Sequence, residues 1–113
     1  MENLQVIVDL SDSTTQDEVI KKFVNTLKLT PMTLPNWDGF YDYLRSLHTE
    51  SDLVKQKQPK AVHLILKNVI NFENSSRELG TGDYNTFLGL LADSTDKNQR
   101  HDKIIFTFEI DNG

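Results

Sequence analysis

Asn36-Trp37-Asp38-Gly39-Phe40-Tyr41-Asp42-Tyr43-Leu44 opens on a residue whose side chain accepts hydrogen bonds from free amides, so Asn36 reads as a helix N-cap. Behind it Trp37, Phe40, Tyr41, Leu44 and Leu47 recur at helical spacing, which predicts a helix running to about His48. Asp38 and Asp42 are four residues apart and share one face, with Tyr41 between them and Arg45 three residues after Asp42. Like charges at this spacing destabilise a helix by roughly a few tenths of a kcal/mol. Asp38 recovers some of that near the positive end of the helix dipole, whereas Asp42 lies beyond the first turn. Pattern alone makes Asp42 half of an exposed ion pair with Arg45, worth roughly 0.3–0.5 kcal/mol. A glycosidase-like carboxylate pair is the weaker reading, since no sugar-binding cleft is signalled.

Working outward, residues 29–35 (Leu-Thr-Pro-Met-Thr-Leu-Pro) form a connector with two prolines. Before it Ile20, Phe23, Val24 and Leu27 mark the apolar face of a helix, with Lys28 in its last turn. Thr14 with Asp17, or Thr15 with Glu18, supplies a capping-box start. Leu4-Gln5-Val6-Ile7-Val8-Asp9 reads as a strand. After the motif, residues 49–59 are polar and read as a loop or helical extension. Ala61-Val62-His63-Leu64-Ile65-Leu66 is nearly continuous in apolar character, as expected of a strand buried on both faces. A short helix is expected within Asn68–Leu79. Gly80-Thr81-Gly82 breaks the chain, and Asp83 is placed to cap a helix whose core face is Phe87, Leu88 and Leu91. Residues 94–103 read as a polar connector, and Ile104, Phe106, Phe108 and Ile110 share one side of a final strand. Strands separated by helices imply parallel pairing through right-handed crossovers. The expected fold class is α/β: a small three-stranded parallel sheet with about four helices, in one domain spanning 1–113.

The length of 113 residues suits one modest core. Twelve basic and 17 acidic residues give a formal net charge of -5. That balance argues against nucleic acid as a partner, which would need a basic face. It is compatible with a basic partner, although plain solubility is the favoured reading. With no cysteine, a disulfide framework, a thiolate metal site and a cysteine nucleophile are excluded, and a reducing compartment is permitted. Met1-Glu2-Asn3 is not the basic start of a signal peptide, and Leu4–Leu10 is too short and too interrupted for a membrane span. The cytoplasm is the default expectation, with no membrane partner.

Enzyme motifs are largely missing: no P-loop, no G-x-S-x-G and no His-Glu-x-x-His occurs. His48, His63 and His101 are far apart in sequence. His63 reads as a hydrogen-bonded core residue, and the other two as solvated surface. Gly80-Thr81-Gly82 before a helix could cradle a phosphate, but Asp83 directly behind it would repel an anion, so a turn is the better reading. No enzyme activity, cofactor or metal is expected.

The nine-residue motif resembles the pattern Asn-(aromatic or Leu)-Asp-Ala-Leu-Trp-Asp-x-Leu of the barstar-like family, and the element order is similar across most of the chain. The resemblance implies a proteinaceous inhibitor of a barnase-type ribonuclease. In such an inhibitor the connector and motif helix occlude the nuclease active site, and acidic residues bind the basic groups that otherwise hold RNA phosphate. The implied partner is an extracellular-type bacterial ribonuclease or related toxin. By motif position Asp42 matches the central carboxylate, Asp38 the acidic residue one turn earlier, Tyr41 the aromatic beside it and Asn36 the asparagine that starts the helix. Trp37 and Leu44 match structural positions. Aligning Phe87-Leu88 and Leu90-Leu91 with the apolar pairs of the family's fourth helix makes Asp93 a further acidic contact. The family's connector carries an aromatic and a glycine where this chain has Met32-Thr33-Leu34-Pro35. That departure leaves open an immunity or interaction module with a different, non-nuclease partner.

Overall fold

Three β-branched and aromatic runs form the strands: β1 (Asn3–Asp9), β2 (Ala61–Lys67) and β3 (Ile105–Asp111). The computed structural model describes residues 3–101 and 104–111, apart from the side chains of residues 96–101. The strands lie in the order β1-β2-β3, and both pairs are parallel. Their register lines up Leu4, Val62 and Phe106 in one row and Val6, Leu64 and Phe108 in the next. These rows face the core.

The other face of the sheet is open. Along β2, Val62, Leu64 and Leu66 are fully buried while Ala61, His63, Ile65 and Lys67 alternate with them at intermediate exposure. The expectation of a strand buried on both faces is therefore corrected. A long apolar run fills the core side at every second residue and leaves the intervening residues on the uncovered side. Ile7 and Ile105 flank this side at 55% and 54% exposure. His63 stands among them, outside the core. Its Nδ1 lies 2.6 Å from Thr107 Oγ1 and its Nε2 2.8 Å from Glu109 Oε1.

The helix α1 (Gln16–Leu27) starts at Thr15, whose side chain accepts from the Glu18 amide. Glu18 reaches back to the Thr14 amide, so the capping box uses Thr15 and Glu18. Val19, Ile20, Phe23 and Leu27 are buried. The motif helix α2 (Trp37–Arg45) is capped by Asn36 and buries Phe40 and Leu44. It stops earlier than its apolar spacing suggests. Ser46 leaves helical geometry, and a short α3 (Leu47–Glu50) follows with Leu47 buried. The polar window that reads as a loop holds a second short helix, α4 (Asp52–Lys57). Ser51 secures it: its buried hydroxyl donates to the Leu27 carbonyl at 2.6 Å and accepts from the Val54 amide.

Beyond β2 come α5 (Ile70–Leu79) and α6 (Asp83–His101). The described residues form six helices, with α3 and α4 the additions to the expected four. α6 runs through most of the stretch that reads as a connector. Ser94 is buried and donates to the Leu90 carbonyl one turn back, so the polar sequence still follows the helix. Residues 102–103 and the side chain of His101 lie outside the described residues. One core cluster draws on every element, with Phe23, Phe40, Phe72, Phe87 and Phe106 among its fully buried side chains. Among the described residues no helix is long and apolar enough to cross a membrane.

Candidate partner-binding face

Trp37 fixes where α2 sits. Its backbone amide donates to Gln16 Oε1 at 2.9 Å, and its indole N–H donates to Asp83 Oδ1 at 3.1 Å. The N-terminal ends of α1, α2 and α6 are thus tied at one residue. The ring also packs within a cluster of Phe40, Phe72 and Phe87, with centroids 5.9, 6.4 and 5.9 Å away. Phe87 stands at the middle of this cluster, meeting Phe23 at 5.8 Å and Phe72 at 5.6 Å edge to face. Such pairs add about 0.5–1.5 kcal/mol beyond their area burial. With the inward side of α2 pinned this firmly, its outward side holds a defined orientation.

Asp83 is therefore not the cap of α6. It is the first helical residue, and its carboxylate accepts from the Trp37 indole. Gly80 and Gly82, at φ 65° and 72°, make the turn before it, a conformation glycine adopts without steric cost. The amides of Asp83 and Tyr84 donate to Thr81 Oγ1 and Ser76 Oγ. Two of the amides that a phosphate would draw on are thus bound within the turn, which agrees with the turn reading of Gly80-Thr81-Gly82.

The outward side of α2 carries Asp38, Tyr41, Asp42 and Arg45. Asp38 and Asp42 are exposed, and Tyr41 and Arg45 are half-buried. Tyr41 donates its hydroxyl proton to Asp93 Oδ2 on α6. Asp93, separated from Tyr41 by 52 residues, thereby joins the face. Arg45 Nη2 donates to Asp42 Oδ1, and its guanidinium carbon sits 4.7 Å above the Tyr41 ring. The pattern reading of an Asp42–Arg45 ion pair thus describes the free protein. The contact of Arg45 with Tyr41 was not read from the sequence, although four residues apart on a helix places them on one face. Arg45 Nε is shut off from solvent and has no hydrogen-bond partner among the described residues. Asp38, in the first turn of α2, has no ion pair or hydrogen bond among the described residues.

Asn36 plays a different part. Its Oδ1 accepts from the Gly39 amide at 2.8 Å and its Nδ2 donates to the Leu34 carbonyl at 3.0 Å. The amide group is spent on capping the helix and shaping the connector. Met32 tucks beside Gly39, whereas Leu34 projects at 79% exposure from the connector that leads into the acidic face.

Burial, then the nearby Glu50 charge, raises the Tyr43 phenol above its ordinary range, and burial followed by Glu73 raises Tyr84. Hydrogen bonds from Asn68 and Ser11 lower the exposed Asp9 carboxyl. Surface hollows of about 480, 210 and 240 Å³ are lined by residues other than the acidic set; the largest is framed by His48, Val54, Lys55, Gln58, Pro59 and Ile104. Among the described residues no three His, Cys, Asp or Glu side chains gather as metal ligands. What the face offers is fixed, exposed negative charge on a rigid helix, suited to accepting charge-assisted hydrogen bonds from a partner's cations.

No curated protein and no solved structure matches the chain. A family model described as Barstar (barnase inhibitor) matches residues 3–111, nearly the whole of its 113 residues. That span takes in all three strands, the motif helix and the acidic face, and the chain belongs to the barstar family.

Proposed function

We propose that this protein inhibits a barnase-type bacterial ribonuclease by laying the outward side of α2 into the enzyme's basic active site. The observation that carries the reading is the set of exposed carboxylates Asp38 and Asp42 on one helix face, extended by Asp93 from α6, in a chain of the barstar family. Each carboxylate stands in for an RNA phosphate and accepts from arginine or lysine. Tyr41 supplies an aromatic surface between them, and Asn36 holds the helix start from which Asp38 projects. Inhibition is occlusion, with no bond made or broken. The net charge of -5 accelerates encounter with a basic enzyme. The partner is an extracellular-type ribonuclease or related toxin, met in the cytoplasm of the producing cell, where this chain acts as an immunity protein.

Titration into several barnase-type ribonucleases tests this. Loss of activity at one equivalent is the expected result for at least one of them. Full activity in stoichiometric excess across the panel would sink the proposal. A second reading, a barstar-fold module for a non-nuclease protein, is favoured by Leu34: an exposed aliphatic side chain occupies the connector where the family carries an aromatic and a glycine. Recovery of a non-nuclease partner whose binding is lost in both Leu34→Ser and Asp42→Ala would select it.

A further inference from the structure

We propose that Arg45 is a specificity-determining residue of the acidic face, an internal guanidinium that fills the place of the partner's cation at Asp42 until a competing arginine displaces it. The inference rests on reading this face as the binding surface for a basic protein. The carboxylates there are held unequally. Asp38 has no ion pair or hydrogen bond among the described residues, Asp93 accepts from the Tyr41 hydroxyl, and Asp42 accepts from Arg45. Of these three, Asp42 alone is paired with an opposite charge among the described residues.

Arg45 reaches Asp42 by its natural helical spacing of three residues, and its plane is steadied over the Tyr41 ring at 4.7 Å. Stacking of this kind is characteristic of arginine, whose flat, weakly hydrated head group also matches a carboxylate edge. The grip is nevertheless incomplete. Nε is buried without an acceptor, so the guanidinium does not meet Asp42 with its full fork. An incoming arginine that approached from solvent could meet Asp42 with two parallel N–H donors, which Arg45 does not do. A lone lysine, a point charge without the fork, competes less well. Arg45 thus screens Asp42 from casual cations and admits a partner that delivers a guanidinium. Once displaced, Arg45 retains the Tyr41 ring as a resting place.

The test uses hexa-arginine and hexa-lysine peptides as probes of the full chain at low salt, so that it does not depend on a ribonuclease being the partner. Arg45→Gln should bind hexa-arginine about two- to fivefold more tightly than the wild type, the range expected for releasing an exposed ion pair. It should gain proportionally more for hexa-lysine, narrowing the preference between the two. Lys21→Gln removes the same charge from α1, where Lys21 pairs with Asp17, and serves as the control for net charge. In an Asp42→Asn background the Arg45→Gln gain should vanish. Arg45→Lys keeps the charge without the fork and should show a smaller gain of the same sign, so a folding defect in one variant does not decide the matter. Equal gains from Arg45→Gln and Lys21→Gln, a gain that survives Asp42→Asn, or weaker binding by both Arg45 variants would each overturn the proposal. Failure of the wild type to inhibit any ribonuclease would instead strike at the function proposed above and leave the peptide comparison standing.

Discussion

The inward and outward sides of α2 are made from alternate residues of one nine-residue segment, yet they behave as two different materials. Inward, Trp37, Phe40 and Leu44 lock into rings and aliphatic side chains from α1, α5 and α6, and the Trp37 indole finds its acceptor in Asp83. Outward, Asp38, Tyr41, Asp42 and Arg45 form a shallow charged surface whose internal contacts are few and individually weak. The first side sets stability, and under the proposed function the second sets recognition. A carboxylate is useful to a partner only if its position is decided beforehand, and the inward side decides it.

Substitutions can break this division at either side. The largest loss of stability is expected at Phe87, which touches four other rings of the cluster. Phe87→Ala should cost about 3–5 kcal/mol in urea unfolding, as truncation of a core aromatic does. Binding per folded molecule should hold up where the fold survives. Asn36→Ala should cost about 1 kcal/mol through loss of the cap. It should also weaken binding modestly, because the turn that carries Asp38 would fray; unchanged binding would mean that the cap is needed for stability alone.

Gly39 sharpens the comparison with a change of opposite sign. The barstar pattern has alanine there, and the nearest atoms a Cβ at this position would meet are Met32 Sδ at 3.5 Å, Asn36 Oδ1 at 3.6 Å and Met32 Cε at 3.7 Å, ordinary contact distances. Gly39→Ala should stabilise the protein by about 0.5–1 kcal/mol and leave binding unaltered. The smallest effect concerns pH and lies away from α2. The Thr14 amide and hydroxyl, followed by Thr15, hold the Glu18 carboxyl below its ordinary value. A lowered folded-state value means that the stabilisation is present above the ordinary carboxylate range and is lost as pH falls through the lowered value. Glu18→Gln should therefore flatten part of the acid limb of a stability–pH profile, while a profile identical to wild type would remove Glu18 from the account.

The two sides of α2 were unequally legible in the sequence. The cap at Asn36, the inward residues Phe40 and Leu44 and the order of the three strands follow from spacing and composition, because burial imposes a period that survives in the chain. The outward face leaves no such period. Asp93 was singled out only through family resemblance, and its contact with Tyr41, across 52 residues, was not foreseen. The role of Asp83 was hidden for a similar reason: its acceptor function is decided by the distant Trp37, not by its place after Gly82. Other misreadings share a cause in short or polar segments. α3 and α4, at four and six residues, are too brief to show a helical period. Residues 94–101 extend the helix with a wholly polar sequence, Ser-Thr-Asp-Lys-Asn-Gln-Arg-His, so the extension has no apolar signature. β2 looked buried on both faces because Ile65 and Ala61 are apolar, although they stand on the open side.

One measurement bears most directly on the claim that Asp42 recognises while the rings beneath it support: inhibition of a barnase-type ribonuclease by Asp42→Ala, with thermal unfolding followed on the same sample. Removing one member of a buried charge pair costs about 3–5 kcal/mol, a factor of more than about a hundred in affinity. A loss of that size is expected at a melting temperature close to the wild type, since Asp42 is exposed in the free protein and contributes only a surface ion pair there. Undiminished inhibition by Asp42→Ala would contradict the claim, as would inhibition lost only in step with unfolding.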